Sequence, residues 1–113
     1  MHNTPSPRPD DDENIEKAIA EVGANKGPRI TPSDVEAAIL SYQFYVFPGT
    51  LLTVCCLRLK NGFTVTGESA CASPENFNKE IGERIALESA KQKIWHLLGF
   101  RLKDLLYEQE SRK

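Results

Sequence analysis

The segment 60–77 constrains the fold more than any other part of the chain, because it combines a turn, a strand and a helix start. Within it, Asn61-Gly62 is the strongest two-residue signal for a β-hairpin, since both residues tolerate positive φ. This pair joins two strand-like runs, 51–60 and 63–70. Ser73-Pro74-Glu75 then opens the last helix with a capping serine, a proline at the first helical position and an acidic first turn.

A two-residue turn fixes which side chains face each other across the hairpin. It predicts that Lys60 faces Phe63 and that Arg58 faces Val65. In this register both faces of the hairpin carry apolar side chains, and neither is cleanly polar. We therefore expect one face to be covered by helices and the other by a partner chain, as in a homodimer or a higher homo-oligomer.

The segment before the hairpin is expected to form a helix that gives way to a strand. Thr31-Pro32-Ser33-Asp34 has the pattern of a capping box with a proline at the first helical position, so the helix should begin at Pro32. Val35, Ile39 and Tyr42 make one helical stripe. An aromatic and β-branched run follows, which predicts a change to extended structure near Gln43.

The last helix is expected to be long and to pack across the sheet. It carries a ridge of small residues, Gly82, Ala86 and Ala90, that allows another backbone to approach closely. Gly99 is expected to kink or interrupt the helix. Between the first helix and the hairpin, Pro48-Gly49 predicts a type II turn.

The sequence as a whole predicts an α+β fold in a single domain. Residues 31–107 form this domain: a helix, a short antiparallel sheet built on the Asn-Gly hairpin, and a long C-terminal helix. Residues 1–30 are expected to be a disordered acidic and proline-rich tail, with a short helix at 12–23 marked by Ile15, Ile19 and Val22. Residues 108–113 are polar and are expected to fray.

Composition narrows the classes of function. The formal net charge of −2 argues against nucleic acid as the partner, because no overall positive field draws the protein to phosphates. There is no apolar run of membrane-spanning length and no signal-peptide pattern, so we expect no membrane association. Three cysteines, an odd number without a secretory context, favour reduced thiols and a cytoplasmic location. We expect neither a metal nor a cofactor.

The best candidate site is the corner where the second hairpin strand meets the last helix. Hydroxyl, carboxylate and amide groups could converge there with the free N–H groups of a helix N-terminus, which attract anions. A simpler explanation is that the threonines suit a strand and the serine only caps. The residues of this predicted ligand site are Thr64, Thr66, Glu68, Ser69, Ser73 and Asn76, with Lys60, Lys79 and Arg84 adding positive charge.

No catalytic signature accompanies this site. Cys55 and Cys56 are adjacent in a strand, so their side chains point to opposite faces and cannot easily share a metal. Cys71 and His96 form the only cysteine and histidine pair with reactive potential, and such a nucleophile needs its base within hydrogen-bond reach. Buried structural thiols are the simpler interpretation. We therefore assign no catalytic residue.

Several segments resemble a small bacteriophage and prophage protein family with members in N4-like and Sf6-like phages. The resemblance is carried by Thr31-Pro32, by Phe47-Pro48-Gly49-Thr50, and above all by the runs 61–71 and 73–77. It extends from about residue 31 to about residue 106. It implies a phage-derived protein that works in the cytoplasm of a bacterial host cell, and it supplies no catalytic residues.

Three functions remain open from the sequence. The first is an accessory protein that binds a host protein or a small anionic, nucleotide-like signalling ligand, for instance to counter a host defence. The second is a nucleic-acid-associated phage regulator, which would bind with strong salt dependence. The third is a small thiol or acid-base enzyme that uses Cys71, Glu68 or His96.

Overall fold

The computed structural model describes residues 11–23 and 26–112. The predicted disordered tail up to residue 10 lies outside these residues. The elements in chain order are α1 (Asp11–Glu21), α2 (Pro32–Ala38), β1 (Ile39–Val46), β2 (Leu52–Leu59), β3 (Thr64–Ala70), a 3-10 turn (Pro74–Asn76) and α3 (Lys79–Ser111).

The three strands form one antiparallel sheet in the order β1-β2-β3, and α3 packs on one face of it, over β3 and β2. This arrangement confirms the predicted α+β class with a long C-terminal helix on the sheet. The core lies between helix and sheet, with α2 at its edge. Its buried members are Val35, Cys55, Leu57, Leu59, Val65, Ala86, Ala90 and Ile94.

The turn between β2 and β3 is longer than predicted. The Leu59 N–H donates to the Phe63 carbonyl at 2.8 Å, and the Gly62 N–H donates to the Leu59 carbonyl at 2.9 Å. Gly62 has φ of 92°. These contacts describe a three-residue loop that ends in a left-handed glycine, a common alternative to the two-residue turn. The predicted two-residue turn is therefore wrong, and Leu57, not Arg58, pairs with Val65.

The extra loop residue decides which side chains share a face of the sheet. A one-residue shift moves every side chain of one strand to the other face. In the observed register the face toward α3 collects the buried residues of both strands, Thr53, Cys55, Leu57, Leu59, Val65, Gly67 and Ser69. The opposite face of β3 carries Thr64, Thr66 and Glu68, all exposed. The mixed faces that suggested a partner chain on the sheet came from the wrong register.

Helix α3 touches β3 almost backbone to backbone. A Cβ atom added to Gly67 would lie 2.1 Å from the Ala86 carbonyl oxygen and 2.2 Å from the Ala90 nitrogen. No side chain fits there. Gly82 on the same ridge is also buried. The ridge of small residues thus permits the close backbone approach predicted for it, and its neighbour is Gly67.

Helix α2 begins as predicted but ends earlier. The Thr31 side chain accepts a hydrogen bond from the Asp34 N–H, and the Asp34 carboxylate accepts one from the Thr31 N–H at 2.9 Å. The strand then starts at Ile39, which pairs with Leu59, whereas the change was predicted near Gln43. Pairing with β2 overrides the local helical pattern of this segment. The predicted type II turn at Pro48-Gly49 fits the positive φ of that glycine, 77°.

The start of α3 also differs from the prediction. Ser73 makes no capping hydrogen bond through its side chain, and only a 3-10 turn follows it. The α-helix begins at Lys79, where the Asn78 side chain accepts a hydrogen bond from the Ile81 N–H at 3.0 Å. Asparagine is as good a cap as serine, which is consistent with the later start.

Beyond this start, α3 continues without interruption for 33 residues. Gly99 lies inside the helix and does not interrupt it, so the predicted interruption is wrong. The helix extends to Ser111, so most of the segment predicted to fray is helical. A glycine costs a helix about 1 kcal/mol relative to alanine, which strong helix formers on either side can offset.

Helix α1 occupies Asp11–Glu21, in the region where a short helix at 12–23 was expected. Arg29 donates to both carboxylate oxygens of Glu16, one of them at 2.9 Å, and this contact lowers the pKa of Glu16. The apolar side chains of α1 are largely uncovered, with Ile15 56% and Val22 78% exposed. No helix in the described part of the chain is both long and apolar enough to span a bilayer.

Candidate ligand-binding cavity

A cavity of about 550 Å³ opens where α3 passes the hairpin end of the sheet. At 1.5 Å per residue, α3 is roughly 50 Å long, whereas strands of seven or eight residues span only about 25 Å. The helix is therefore longer than the sheet on which it packs. The residues lining this space, the hairpin-end cavity, are Ala38, Leu59, Lys60, Asn61, Phe63, Leu97, Leu98 and Arg101.

Hydrogen bonds hold the hairpin loop at the mouth of the cavity. The Lys60 N–H donates to the Ala38 carbonyl at 3.0 Å, which ties the loop to the end of α2. The Phe63 N–H donates to the Asn61 side-chain oxygen at 2.9 Å. These two hydrogen bonds restrain the loop backbone, so the loop side chains extend from defined backbone positions.

The cavity combines apolar walls with positive charge. Leu59 is buried at its base, while Phe63 and Leu97 are partly open to solvent, 55% and 38% exposed. Lys60 and Arg101 bring two cations, and the lining residues that the structure describes include no carboxylate. Neither cation forms an ion pair within residues 11–23 and 26–112. The cavity is suited to a ligand with an apolar body and an anionic group.

A second cavity of about 480 Å³ lies beside the first, between α3 and the segment that leads into α2. It shares Ala38, Leu98 and Arg101 with the hairpin-end cavity. Its further lining residues are Pro28, Arg29, Ile30, Asp34, Ala37, Leu102 and Leu105. Arg101 therefore stands on the boundary between two open spaces along the same helix.

The structure does not gather the residues of the predicted corner site in one place. Thr64, Thr66 and Glu68 lie on the open face of the sheet, whereas Ser69 points to the opposite face and is only 1% exposed. A small ligand cannot contact both sets. The space beside Gly67 is filled by the backbone of α3, so a ligand cannot approach there.

The remaining corner residues are also dispersed. The Ser73 carbonyl accepts a hydrogen bond from the Cys71 thiol at 3.2 Å, so this residue is part of the connection to α3. Asn76, Lys79 and Arg84 are exposed near the start of that helix. Of the nine predicted residues, Lys60 lines the hairpin-end cavity, at the other end of β3.

The cysteines occupy three different environments. Cys55 is fully buried, and burial raises the pKa of its thiol to about 11, which keeps it protonated at neutral pH. Cys56 is exposed on the open face of the sheet. Cys71 is buried at the end of β3, whereas His96 is exposed in the middle of α3. Within the described ranges, no group of three or more histidine, cysteine or acidic residues could hold a metal ion.

Most of the cavity residues were missed in the sequence. Arg101, Leu97 and Phe63 were not among the candidate site residues. One signal was present: Arg101 interrupts a run of apolar residues between Leu98 and Leu102, an unusual place for a cation on an otherwise apolar stripe. Whether this cation faces a cavity depends on where the sheet ends relative to α3, and the sequence does not show that position.

A family described as "Phage protein (N4 Gp49/phage Sf6 gene 66) family" matches residues 30–106, which is more than half of the chain and includes α2, the whole sheet and most of α3. Comparisons with curated proteins and with solved structures give no match.

Proposed function

Because the chain belongs to this phage protein family, we propose that it is a non-catalytic phage accessory protein that binds a small anionic, nucleotide-like ligand in the hairpin-end cavity. The observation that carries the proposal is the pairing of Lys60 and Arg101 with apolar walls in one space. The family match supports a phage protein, and the geometry of the cavity supports its ligand class.

The volume and lining of the cavity suit a molecule of nucleotide size. Pockets for such ligands range over about 300–1,000 Å³ and are mostly apolar, with a few polar groups that fix orientation. A flat ring would lie against Phe63 and Leu97, and a phosphate would lie between Lys60 and Arg101. Guanidinium and ammonium groups both donate charge-assisted hydrogen bonds to phosphate oxygens.

Binding without turnover would suit a protein that removes a signalling molecule inside a host bacterium. Such a protein acts in the cytoplasm and needs no catalytic group. It needs only a dissociation constant below the concentration of its ligand. The buried, protonated thiol of Cys55 and the exposed position of His96 offer no assembled nucleophile and base to the cavity. Sequestration of a host signal is therefore the role we assign.

Calorimetric titration with nucleoside monophosphates and cyclic dinucleotides tests the proposal. We expect at least one of these probes to bind with a stoichiometry of one per chain, and Lys60→Met to weaken it about tenfold or more. Lys79→Met is the matched control, because Lys79 is an exposed lysine at the far end of α3. Equal affinities for the two variants, or no binding of any nucleotide probe, would overturn the site.

A duplex DNA and a single-stranded RNA oligomer complete the titration. The proposal expects them to bind more weakly than the best nucleotide and without dependence on Lys60. Tight, strongly salt-dependent binding of either oligomer would favour the nucleic-acid regulator instead.

A further inference from the structure

The C-terminal part of α3, residues 97–111, begins beside the hairpin end of the sheet and continues beyond it, and we call it the overhang. Every fully buried residue of α3 lies before it, at or before Ile94. Within the overhang, Leu98, Leu102 and Leu105 repeat at spacings of four and three, which places them in one stripe. Leu98 and Leu102 are only half-buried, and Leu105 is 45% exposed.

This stripe faces the 480 Å³ cavity, whose opposite wall includes Ile30 and Ala37. Leu98 also packs against the core, whereas Leu102 and Leu105 border the open space between stripe and wall and are only partly covered. A heptad stripe of this kind is the surface on which a second helix packs by inserting its own side chains.

Two charges along the edge of the stripe specify the direction of that second helix. Arg101 and Glu108 are seven residues apart, so they lie on the same edge, one heptad from each other. Both are exposed, and neither takes part in an ion pair within the described chain. An antiparallel copy of the same helix reverses their order.

We propose that a second copy of this chain docks on the overhang in antiparallel orientation, about a two-fold axis between Lys103 and Asp104. In this register Leu102 packs against Leu105 of the second copy, and the two-fold repeats the contact. Arg101 then faces Glu108 of the second copy, again twice. Equivalent edge positions face each other in antiparallel helix pairs, which is why one register satisfies both the leucines and the charges.

The complementarity argues for a copy of this chain over an unrelated partner. The overhang is complementary to a second overhang only when the two helices run antiparallel, and such self-complementarity is the property of a closed two-fold interface. A parallel copy would not bring Arg101 and Glu108 together. The homo-oligomer expected from the sequence thus has a different interface from the one first inferred: the overhang of α3, not the open face of the sheet.

The interface is compatible with ligand binding in the hairpin-end cavity. Arg101 has five N–H donors, so a carboxylate of the second copy leaves others for a phosphate. Glu108 and Leu105 line no part of the hairpin-end cavity. A change at Glu108 therefore affects self-association without removing a ligand contact.

Charge reversal tests the proposal. Sedimentation velocity over a concentration series is expected to show a monomer–dimer equilibrium for the unmodified chain. Arg101→Glu or Glu108→Arg alone brings like charges together at both symmetry-related positions, and should weaken self-association about tenfold or more. The double variant Arg101→Glu with Glu108→Arg restores opposite charges and should recover most of the affinity. Circular dichroism checks that each variant folds.

Lys79→Glu serves as the control, because it reverses an exposed charge at the other end of α3 and should leave the equilibrium unchanged. The proposal fails if the unmodified chain is monomeric throughout the series. It also fails if the double variant associates no better than the single ones. Ligand binding by Glu108→Arg separates the two proposals: retained binding with lost self-association supports the interface, whereas absent binding in every variant contradicts only the ligand site.

Discussion

The two halves of α3 meet different surroundings although they belong to one continuous helix. In the first half, Gly82, Ala86 and Ala90 are buried against the sheet, and a Cβ at Gly67 would collide with the helix backbone. In the second half, Leu105 is nearly half-exposed and two cavities open alongside. The first half therefore packs against the sheet, and the second half is largely open to solvent.

The size of the side chains follows this division. Residues at intervals of four along α3 form one slowly turning ridge, which begins with glycine and alanine and ends with leucine. Small residues occur where the backbone of β3 comes close. Large residues, Leu98, Leu102 and Leu106, occur from the hairpin end of the sheet onward. A helix that only folded onto the sheet would gain little from large apolar residues beyond its edge.

The largest expected effect on stability comes from a substitution at the close contact between α3 and β3. Gly67→Ala places a Cβ within 2.2 Å of backbone atoms of both Ala86 and Ala90, so the helix must move away from β3. We expect the free energy of unfolding to fall by about 3 kcal/mol or more, or the protein not to fold. Urea unfolding followed by circular dichroism measures the change.

Gly99→Ala is the matched control in the second half of the helix. A Cβ at Gly99 meets nothing within 4 Å, so the same chemical change should stabilise the protein by about 0.5–1 kcal/mol through helix propensity. Similar destabilisation by both variants would show that the two halves do not differ in packing.

Truncating a large side chain sharpens the comparison at a second pair of sites. Ile94→Ala removes a fully buried side chain and should cost about 3 kcal/mol. Leu105→Ala removes a partly exposed one and should cost about 1 kcal/mol or less in dilute protein. Thermal and urea unfolding at low micromolar concentration measure both. Equal losses would mean that the overhang contributes to the fold of the monomer as much as the core does.

A smaller effect on stability comes from Cys55 in β2, the central strand of the sheet under α3. The pKa of Cys55 is raised by burial to about 11 from an ordinary 9.0, so the folded protein holds this proton more tightly than the unfolded chain. The stability that this difference provides is complete below pH 9 and is lost as the pH rises from about 9 to about 11. Unfolding measured across this range should show a steeper loss for the unmodified protein than for Cys55→Ala.

Cys56→Ala is the control for this pH dependence, because that thiol is exposed on the open face. It should behave like the unmodified protein. If Cys55→Ala and Cys56→Ala lose stability with the same dependence on pH, the buried thiol is not responsible.

The sequence predicted the secondary-structure elements better than it predicted how they pair and pack. The capping box at Thr31, the turn at Gly49 and the small ridge on α3 are local signals, and the structure confirms them. The hairpin register was wrong because Asn-Gly fits both a two-residue turn and the end of a three-residue loop. The three-residue loop placed Ser69 on the buried face, and Thr66 lies on the opposite face because side chains alternate along a strand.

The cavity could not be predicted for a related reason. Its residues come from the hairpin loop, the end of α2 and the middle of α3, and only the relative lengths of helix and sheet bring them together. Lys60 was included among the candidate residues, but for a site at the opposite end of β3. Local patterns do not report where a helix leaves a sheet.

Native-state hydrogen exchange along α3 tests the division of this helix most directly. In dilute protein, the amides of residues 82–94 should be protected to nearly the global free energy of unfolding, and those of residues 98–110 should exchange much faster. At concentrations that favour the dimer, protection of the second group should rise while that of the first stays constant. Uniform protection along the whole helix, independent of concentration, would contradict the account.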